Sequence, residues 1–390
     1  MALGLLTSLG PFSIDLYLPA FKAIAHDLHV DSGKVPLTLS SYLIGISIGQ
    51  LIYGPLLDKF GRKKPLCAGL ILSMLASVGC YFASTLDVLV LLRFFQALGS
   101  CACTVAATAM VRDYFPVKEN AKIFSFLMLV LGLSPIIAPS IGGYFTLYWG
   151  WHNIFILLLG IATLLLLIVI FVLPNIYKPD PDYSLKPTAI MKSFWEVLKE
   201  PQFLTYATCG ALTLGCLFTF IAAAPNLFMG FYKMNENSFA WLFTALSGGF
   251  VAAGQLNRVL EKNFSSAQII AISSTCQSAC AVIFVWGTMD GFLGMVGVVS
   301  MIFAVLICTS VSLPNAAALT FAHFKRNAGT VAALFGAFEM VTGALVSVMI
   351  TFFKTNGTLA LASIMAILSI LVFIISRLGE KRIAKTHATA

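Results

Sequence analysis

Twelve apolar stretches, each about as long as a membrane is thick, occupy most of this 390-residue sequence. A helix needs ~20 mostly apolar residues to cross the hydrocarbon core of a bilayer. Only 10% of the residues are charged, against ~25% in an ordinary soluble domain, so the sequence predicts an all-α membrane protein. The stretches are 2–21, 37–57, 66–85, 87–111, 123–146, 151–173, 203–225, 239–257, 266–286, 291–313, 329–353 and 357–377.

One connection is longer than the others and is rich in proline and charged residues. It divides the twelve stretches into two sets of six. We therefore predict an N-terminal half at 1–174, a linker at 175–201 with an amphipathic helix near 188–199, and a C-terminal half at 202–390. Residues 54–64 and 254–264 both open with Gly before a basic turn, which indicates duplicated halves around a central cavity.

The basic residues are distributed unequally between the two sides of the predicted membrane. Nineteen of the 24 Lys and Arg residues fall in the loops of one side, four in the loops of the other, and Arg93 lies inside a span. This positive-inside asymmetry predicts that both termini and the linker are cytoplasmic. It also explains the net charge of +8 by contact with the anionic inner leaflet of a lipid bilayer, so we expect no nucleic-acid partner.

Three ionisable residues lie at membrane depth, where charge is costly and marks functional candidates. They are Asp15, Arg93 and Glu339. Arg93 lies ~9 Å into its span at 1.5 Å per residue, at a depth similar to that of Asp15, so an ion pair between them is expected, with Gln96 beside it. We interpret these residues as a proton-coupling site, against the alternative of a static salt bridge. Glu339 fits a contact to a cationic substrate, a second proton site or a structural, protonated acid.

Several segments resemble those of the major facilitator superfamily, and within it the Bcr/CflA type of drug-resistance transporter. The resemblance runs from end to end and implies the major facilitator fold, with twelve transmembrane helices in two pseudo-symmetric halves. It also implies a monomeric drug:proton antiporter of the bacterial inner membrane. The similar segments are SIDLYLPAF (13–21), GPLLDKFGRKK (54–64), LLRFFQALG (91–99), GLSPIIAPSIGG (132–143), QLNR (255–258), LPNAAAL (313–319) and AGTVAALFGAFEM (328–340). Two departures are Thr108, where the family often has Arg, and Glu339, where it commonly has Gln.

The resemblance assigns roles to two further groups of residues. In the loop motif, we expect Asp58 to pair with Arg112 and to face the N-terminal end of the eleventh span near Asn327, closing a cytoplasmic gate. Gly54 is expected to permit close helix approach; the alternative is that these residues only set topology. The gate comprises Gly54, Asp58, Gly61, Arg62 and Arg112. The fifth-span antiporter motif, expected to seal the protein against leak or simply to kink the helix, comprises Gly132, Pro135, Pro139, Gly142 and Gly143.

The predicted function is proton-coupled efflux of drugs or other small amphipathic molecules by alternating access. The alternative is a dedicated transporter of one natural metabolite. An enzyme or receptor is disfavoured, because the sequence contains no HExxH, GxSxG or P-loop pattern; we expect no cofactor and no metal. Aromatic and Met side chains repack around varied ligands. The substrate-binding candidates are Glu339, Tyr17, Tyr42, Met128, Phe218, Asn226, Phe335 and Phe338.

Overall fold

The computed structural model describes residues 2–114, 117–174, 187–322, 324, 328–352 and 357–389. That description leaves out the helix side chains at 112, 117–126, 128, 129, 187, 189, 328, 357 and 384–389. The regular elements in it are all helical, which confirms the predicted all-α class. They are α1 (Ala2–Asp15), α2 (Phe21–Asp27), α3 (Pro36–Phe60), α4 (Lys63–Tyr81), α5 (Leu86–Tyr114), α6 (Val117–Trp149), α7 (His152–Phe171), α8 (Pro187–Leu198), α9 (Pro201–Ala224), α10 (Glu236–Leu260), α11 (Ser266–Met289), α12 (Met295–Phe321), α13 (Ala328–Thr351) and α14 (Gly357–Thr389).

Eleven helical segments of the described chain are long and apolar enough to cross a membrane. Most of their ends lie within a few residues of the predicted spans. The first predicted span, 2–21, differs, because α1 ends at Asp15 and a 3-10 turn at Leu18–Ala20 leads into α2. Pro19 explains the break. Proline has no N–H to donate to the carbonyl four residues earlier, that of Asp15, and its ring clashes with that carbonyl.

Contacts between residues group the chain into two compact units. The first contains Met1–Lys186 and Phe228–Ser247. Within it, α5 packs against α1, α3 and α4, while α6 packs against α1 and α7 against α4. Helices α4 and α5 approach closely, because a Cβ on Gly99 would lie 2.5 Å from the carbonyl oxygen of Gly69. Small residues permit such approaches between helices in a membrane.

The second unit contains Pro187–Leu227 and Gly248–Ala390. Helix α9 is its centre and packs against α12, α13 and α14, while α11 packs against α12 and α14. The predicted amphipathic helix is present as α8, with Val197 buried and Trp195 exposed. The predicted boundaries of two six-helix halves stay a prediction, since the contact grouping places Phe228–Ser247 with the first unit.

Candidate functional site

Asp15 lies at the point where the first helix is interrupted. Its side chain is buried, with 5% of its surface exposed. Its carboxylate accepts a hydrogen bond from the Ser134 hydroxyl of α6 at 3.3 Å, and it forms no ion pair with any described residue. Burying a carboxylate without a cationic partner is energetically unfavourable, which makes Asp15 a candidate for a functional role.

Arg93 is the neighbouring buried charge, and neutral groups surround it. Its side chain is fully buried in α5. Nη1 donates to Oε1 of Gln96 at 2.6 Å, which confirms the expected contact with Gln96, and Nη2 donates to the carbonyl oxygen of Ser13 at 2.9 Å. The guanidinium carbon lies 4.6 Å from the ring centre of Tyr17 and 4.2 Å from that of Tyr42. A desolvated cation–π contact contributes ~2 kcal/mol, so these rings stabilise the charge.

The predicted ion pair between Asp15 and Arg93 is wrong for this structure. The break in α1 supplies the physical reason. The amide of Tyr17 donates to the carbonyl of Ile14, at 3.2 Å, instead of that of Ser13. The carbonyl of Ser13 is thereby left for Arg93, which satisfies an orphan acceptor at the C-terminal end of a helix. Arg93 therefore caps α1 two residues before Asp15.

Two further hydrogen bonds extend this buried cluster across the first unit. The Gln96 side-chain amide donates to the Ser77 hydroxyl of α4 at 2.7 Å. The hydroxyl groups of Tyr42 and Ser100 lie 2.9 Å apart and join α3 to α5. Polar groups from α1, α3, α4, α5 and α6 thus converge on one buried place.

A second charged group joins the ends of α3 and α5. Arg62 follows Gly61, whose φ of 81° ends α3 in a conformation that favours glycine. The Arg62 guanidinium donates to Asp58 at 2.7 Å and to Asp113 at 2.7 and 3.4 Å. Burial lowers the pKa of Arg62, but the hydrogen bonds to Asp113 and Asp58 together with their negative charges raise it by more, so the pKa lies above its ordinary value.

This cluster adds a residue to the predicted gate. Asp58 contacts Arg62, and Asp113, which the prediction missed, links Arg62 to α5. The predicted pair of Asp58 and Arg112 stays a prediction. The side chain of Arg112 and all of Asn327 lie outside the described residues. Asp113 follows Arg112 directly in the sequence and lies on the same predicted side of the membrane as Arg62. This shared location is the sequence feature from which the pair of Arg62 and Asp113 could have been predicted.

Gly54 makes no close approach to another described helix. Among the described residues, no atom lies within 4 Å of the position that a Cβ would take there. The expectation that Gly54 permits a close approach between helices therefore finds no support in the described part of the chain. The close approach of α3 to α5 occurs instead at Gly45 and Gly49, where a Cβ would lie 2.5 Å from the carbonyl oxygen of Phe94 and 2.8 Å from Cβ of Cys101.

The antiporter motif forms part of one continuous helix and contacts the break in α1. Pro135 and Pro139 lie inside α6, which continues to Trp149. A Cβ on Gly142 would overlap the carbonyl oxygen of Leu16, and Ser134 of the same segment binds Asp15. Gly143 is less tightly packed, since its nearest atom, the carbonyl oxygen of Glu236, is 3.8 Å away. Gly132 also lies in this helix.

The predicted substrate-binding residues fall into two groups. Tyr17 and Tyr42 are fully buried and pack on Arg93. The side chain of Met128 lies outside the described residues. The other five belong to the second unit and are Phe218, Asn226, Phe335, Phe338 and Glu339. Asn226 lies in the π-helical segment Pro225–Phe231 that follows α9.

Comparison with known proteins identifies relatives over nearly the whole chain. The family model described as Major Facilitator Superfamily matches residues 3–347. A bicyclomycin resistance protein homolog of Haemophilus influenzae is 29% identical over 359 residues, covering 91% of this chain and 89% of the relative. A chloramphenicol resistance protein of Pseudomonas aeruginosa is 30% identical over 342 residues, covering 85% of this chain and 77% of the relative.

A solved structure supports the same fold. The crystal structure of a D-xylose-proton symporter matches with a TM-score of 0.73 at 13% identity, covering 95% of this chain and 97% of that one. At this identity the likeness concerns the fold alone. The comparisons confirm the predicted resemblance, the major facilitator fold and a multi-pass membrane transporter rather than an enzyme. Because the family model matches most of its length, this chain belongs to the major facilitator superfamily.

Proposed function

We propose that the protein exports drugs or other small amphipathic molecules in exchange for protons, by alternating access. It acts as a monomer in the bacterial inner membrane, with both termini cytoplasmic. The drug-resistance names of two relatives support the substrate class. The unequal distribution of Lys and Arg between the two sides of the membrane supports the orientation.

The observation that carries the proposal is the isolated carboxylate of Asp15. It is buried, its hydrogen bond comes from the neutral Ser134 hydroxyl, and no cation pairs with it among the described residues. Binding a proton removes a negative charge from the membrane interior. Each charge that crosses a potential of 100 mV supplies ~2.3 kcal/mol to drive export. The guanidinium of Arg93 does not exchange its proton in this mechanism, and its hydrogen bonds to Gln96 and Ser13 hold it in place.

The other groups have accompanying roles in this mechanism. The hydrogen bonds of Arg62 to Asp58 and Asp113 hold the ends of α3 and α5 together while the cytoplasmic side is closed, and Arg112 contributes to the same gate. The antiporter motif of α6 seals the path beside α1. The aromatic residues assigned to substrate binding, with Asn226 and Met128, supply an adaptable lining.

The test is transport into or out of liposomes that contain the purified protein. A pH gradient is imposed and the movement of labelled chloramphenicol is followed. We expect Asp15→Asn to lose uphill, gradient-driven movement while keeping downhill movement. The control is Asp87→Asn, which makes the same chemical change at an exposed position in the first turn of α5 and is expected to behave as wild type. Uphill transport at the wild-type rate by Asp15→Asn refutes coupling through this residue.

A dedicated transporter of one natural metabolite is the second candidate. Glu339 favours it, because a carboxylate where the family commonly has Gln indicates a divergent substrate. The two candidates differ in breadth of substrate. Transport of several chemically unrelated compounds supports the drug exporter, whereas transport of a single compound class supports the dedicated transporter.

A further inference from the structure

Glu339 lies near the middle of a membrane span and faces the inside of the second unit. The span is Gly329–Thr351. Val341, Leu345 and Met349 are exposed, by 44%, 59% and 40%, and mark the exposed side of α13. Glu339 precedes Val341 by two residues, which places it ~200° around a helix of 3.6 residues per turn. Its side chain therefore points away from Val341, and Phe335 and Gly343 on the same face place it toward α9.

Two aromatic rings flank Glu339 along the seam between α13 and α9. Phe335, four residues before it, packs on Gly210 of α9, where a Cβ would lie 2.9 Å from the ring. Gly343, four residues after it, receives the ring of Phe218 from α9, where a Cβ would lie 2.5 Å away. Residues four apart lie on the same face of a helix. The carboxylate thus lies between two rings, each seated on a glycine.

No positive charge of the second unit accompanies this carboxylate. Glu339 forms no hydrogen bond or ion pair with any described residue. The Lys and Arg residues whose side chains are described in this unit are all exposed to solvent or headgroups; they are Lys192, Lys199, Arg258, Lys262, Arg377, Lys381 and Arg382. Asp15 has at least the Ser134 hydroxyl, whereas no described residue occupies either oxygen of Glu339.

We propose that Glu339 recognises the positive charge of a lipophilic organic cation, with the rings of Phe335 and Phe218 contacting its apolar groups. The proposal rests on the proposed transport function and names the substrate class. An organic cation satisfies both features of the place, because its charge is attracted to the carboxylate and also to the faces of aromatic rings. A proton satisfies the carboxylate but makes no use of the rings.

The experiment is equilibrium binding to the purified full-length protein in detergent. The probes are labelled tetraphenylphosphonium, a permanent cation without hydrogen-bond donors, and neutral chloramphenicol. Glu339→Gln is expected to weaken tetraphenylphosphonium binding by about tenfold or more and to change chloramphenicol binding by less than about twofold. The matched control is Glu196→Gln, which removes the same charge from an exposed position of α8 and should leave both affinities unchanged.

Three results overturn the inference. They are wild-type affinity for tetraphenylphosphonium in Glu339→Gln, an equal loss of both probes in that variant, or no binding of tetraphenylphosphonium by the wild type. Glu339→Asp guards against a folding defect, because it keeps the charge and is expected to retain more cation affinity than Glu339→Gln. Binding requires no pH gradient. Failure of gradient-driven transport with cation binding intact therefore counts against the proposed function and not against this site.

Discussion

Two motif glycines that look equivalent in sequence are expected to respond oppositely to the same substitution. Gly54 lies inside α3 and Gly142 inside α6. Replacing glycine by alanine in a helix interior gains up to ~1 kcal/mol from backbone propensity. That gain is common to both sites, so any difference between Gly54→Ala and Gly142→Ala reports the space around each new methyl group.

The space around the two glycines differs sharply. No atom of the described residues lies within 4 Å of a Cβ at position 54, so Gly54→Ala should be neutral or stabilising by up to ~1 kcal/mol. At position 142 the new methyl overlaps the carbonyl oxygen of Leu16, with the carbonyl carbon and Cα of the same residue within 3.0 Å. Backbone atoms cannot rotate away as a side chain can. Overpacking costs ~1–3 kcal/mol, so Gly142→Ala should be destabilising after the propensity gain is subtracted.

The assay is the free energy of unfolding of both variants in mixed micelles, titrated with denaturing detergent. Transport of chloramphenicol is measured alongside. Because Leu16 adjoins Asp15, a displaced Leu16 also displaces the carboxylate that we propose for proton coupling, and we expect Gly142→Ala to lose transport. Equal stability changes in the two variants, or a more stable Gly142→Ala protein, would show that the contact between α6 and the break in α1 is not as close as described.

Two further predictions concern the buried residues Arg62 and Arg93 and the groups that they contact. Asp113→Asn should destabilise the protein by ~1–2 kcal/mol and Asp58→Asn by less than ~1 kcal/mol, because the Asp113 side chain is 18% exposed and that of Asp58 is 41% exposed. Denaturant titration of each variant checks this order, which equal losses would contradict. Arg93→Lys should be destabilising although it keeps the charge, since an ammonium cannot reproduce the guanidinium's paired contacts with Gln96 and Ser13; wild-type stability in that variant would refute this reading.

Hydropathy is sufficient to predict most of this fold, because a bilayer requires long apolar helices with few alternatives. Helices α9 and α11 begin within two residues of their predicted starts. The first span was predicted as unbroken because its apolar composition continues through 2–21. The signal for its interruption was present in Pro19, which acts on the residue four positions earlier.

The site was less predictable than the fold, because its hydrogen bonds depend on which backbone groups the break leaves free. The sequence places Asp15 and Arg93 at similar depth, and opposite charges at similar depth suggest a pair. Arg93 instead contacts a carbonyl and two rings, which no charge pattern encodes. Asp113 was missed for a related reason, since an acid at a helix end in a basic loop region looks like a simple solvated residue.

The helix-capping role of Arg93 has a consequence for how charge is arranged in the first unit. Its described contacts are with Ser13, Gln96 and the rings of Tyr17, Tyr42 and Phe155, and none of them depends on the charge of Asp15. Arg93 is thus held by groups that belong to the helix framework, while the hydrogen bond to Asp15 comes from the Ser134 hydroxyl. In the proposed mechanism, a change in the protonation of Asp15 therefore leaves the contacts that join α1 to α5 in place.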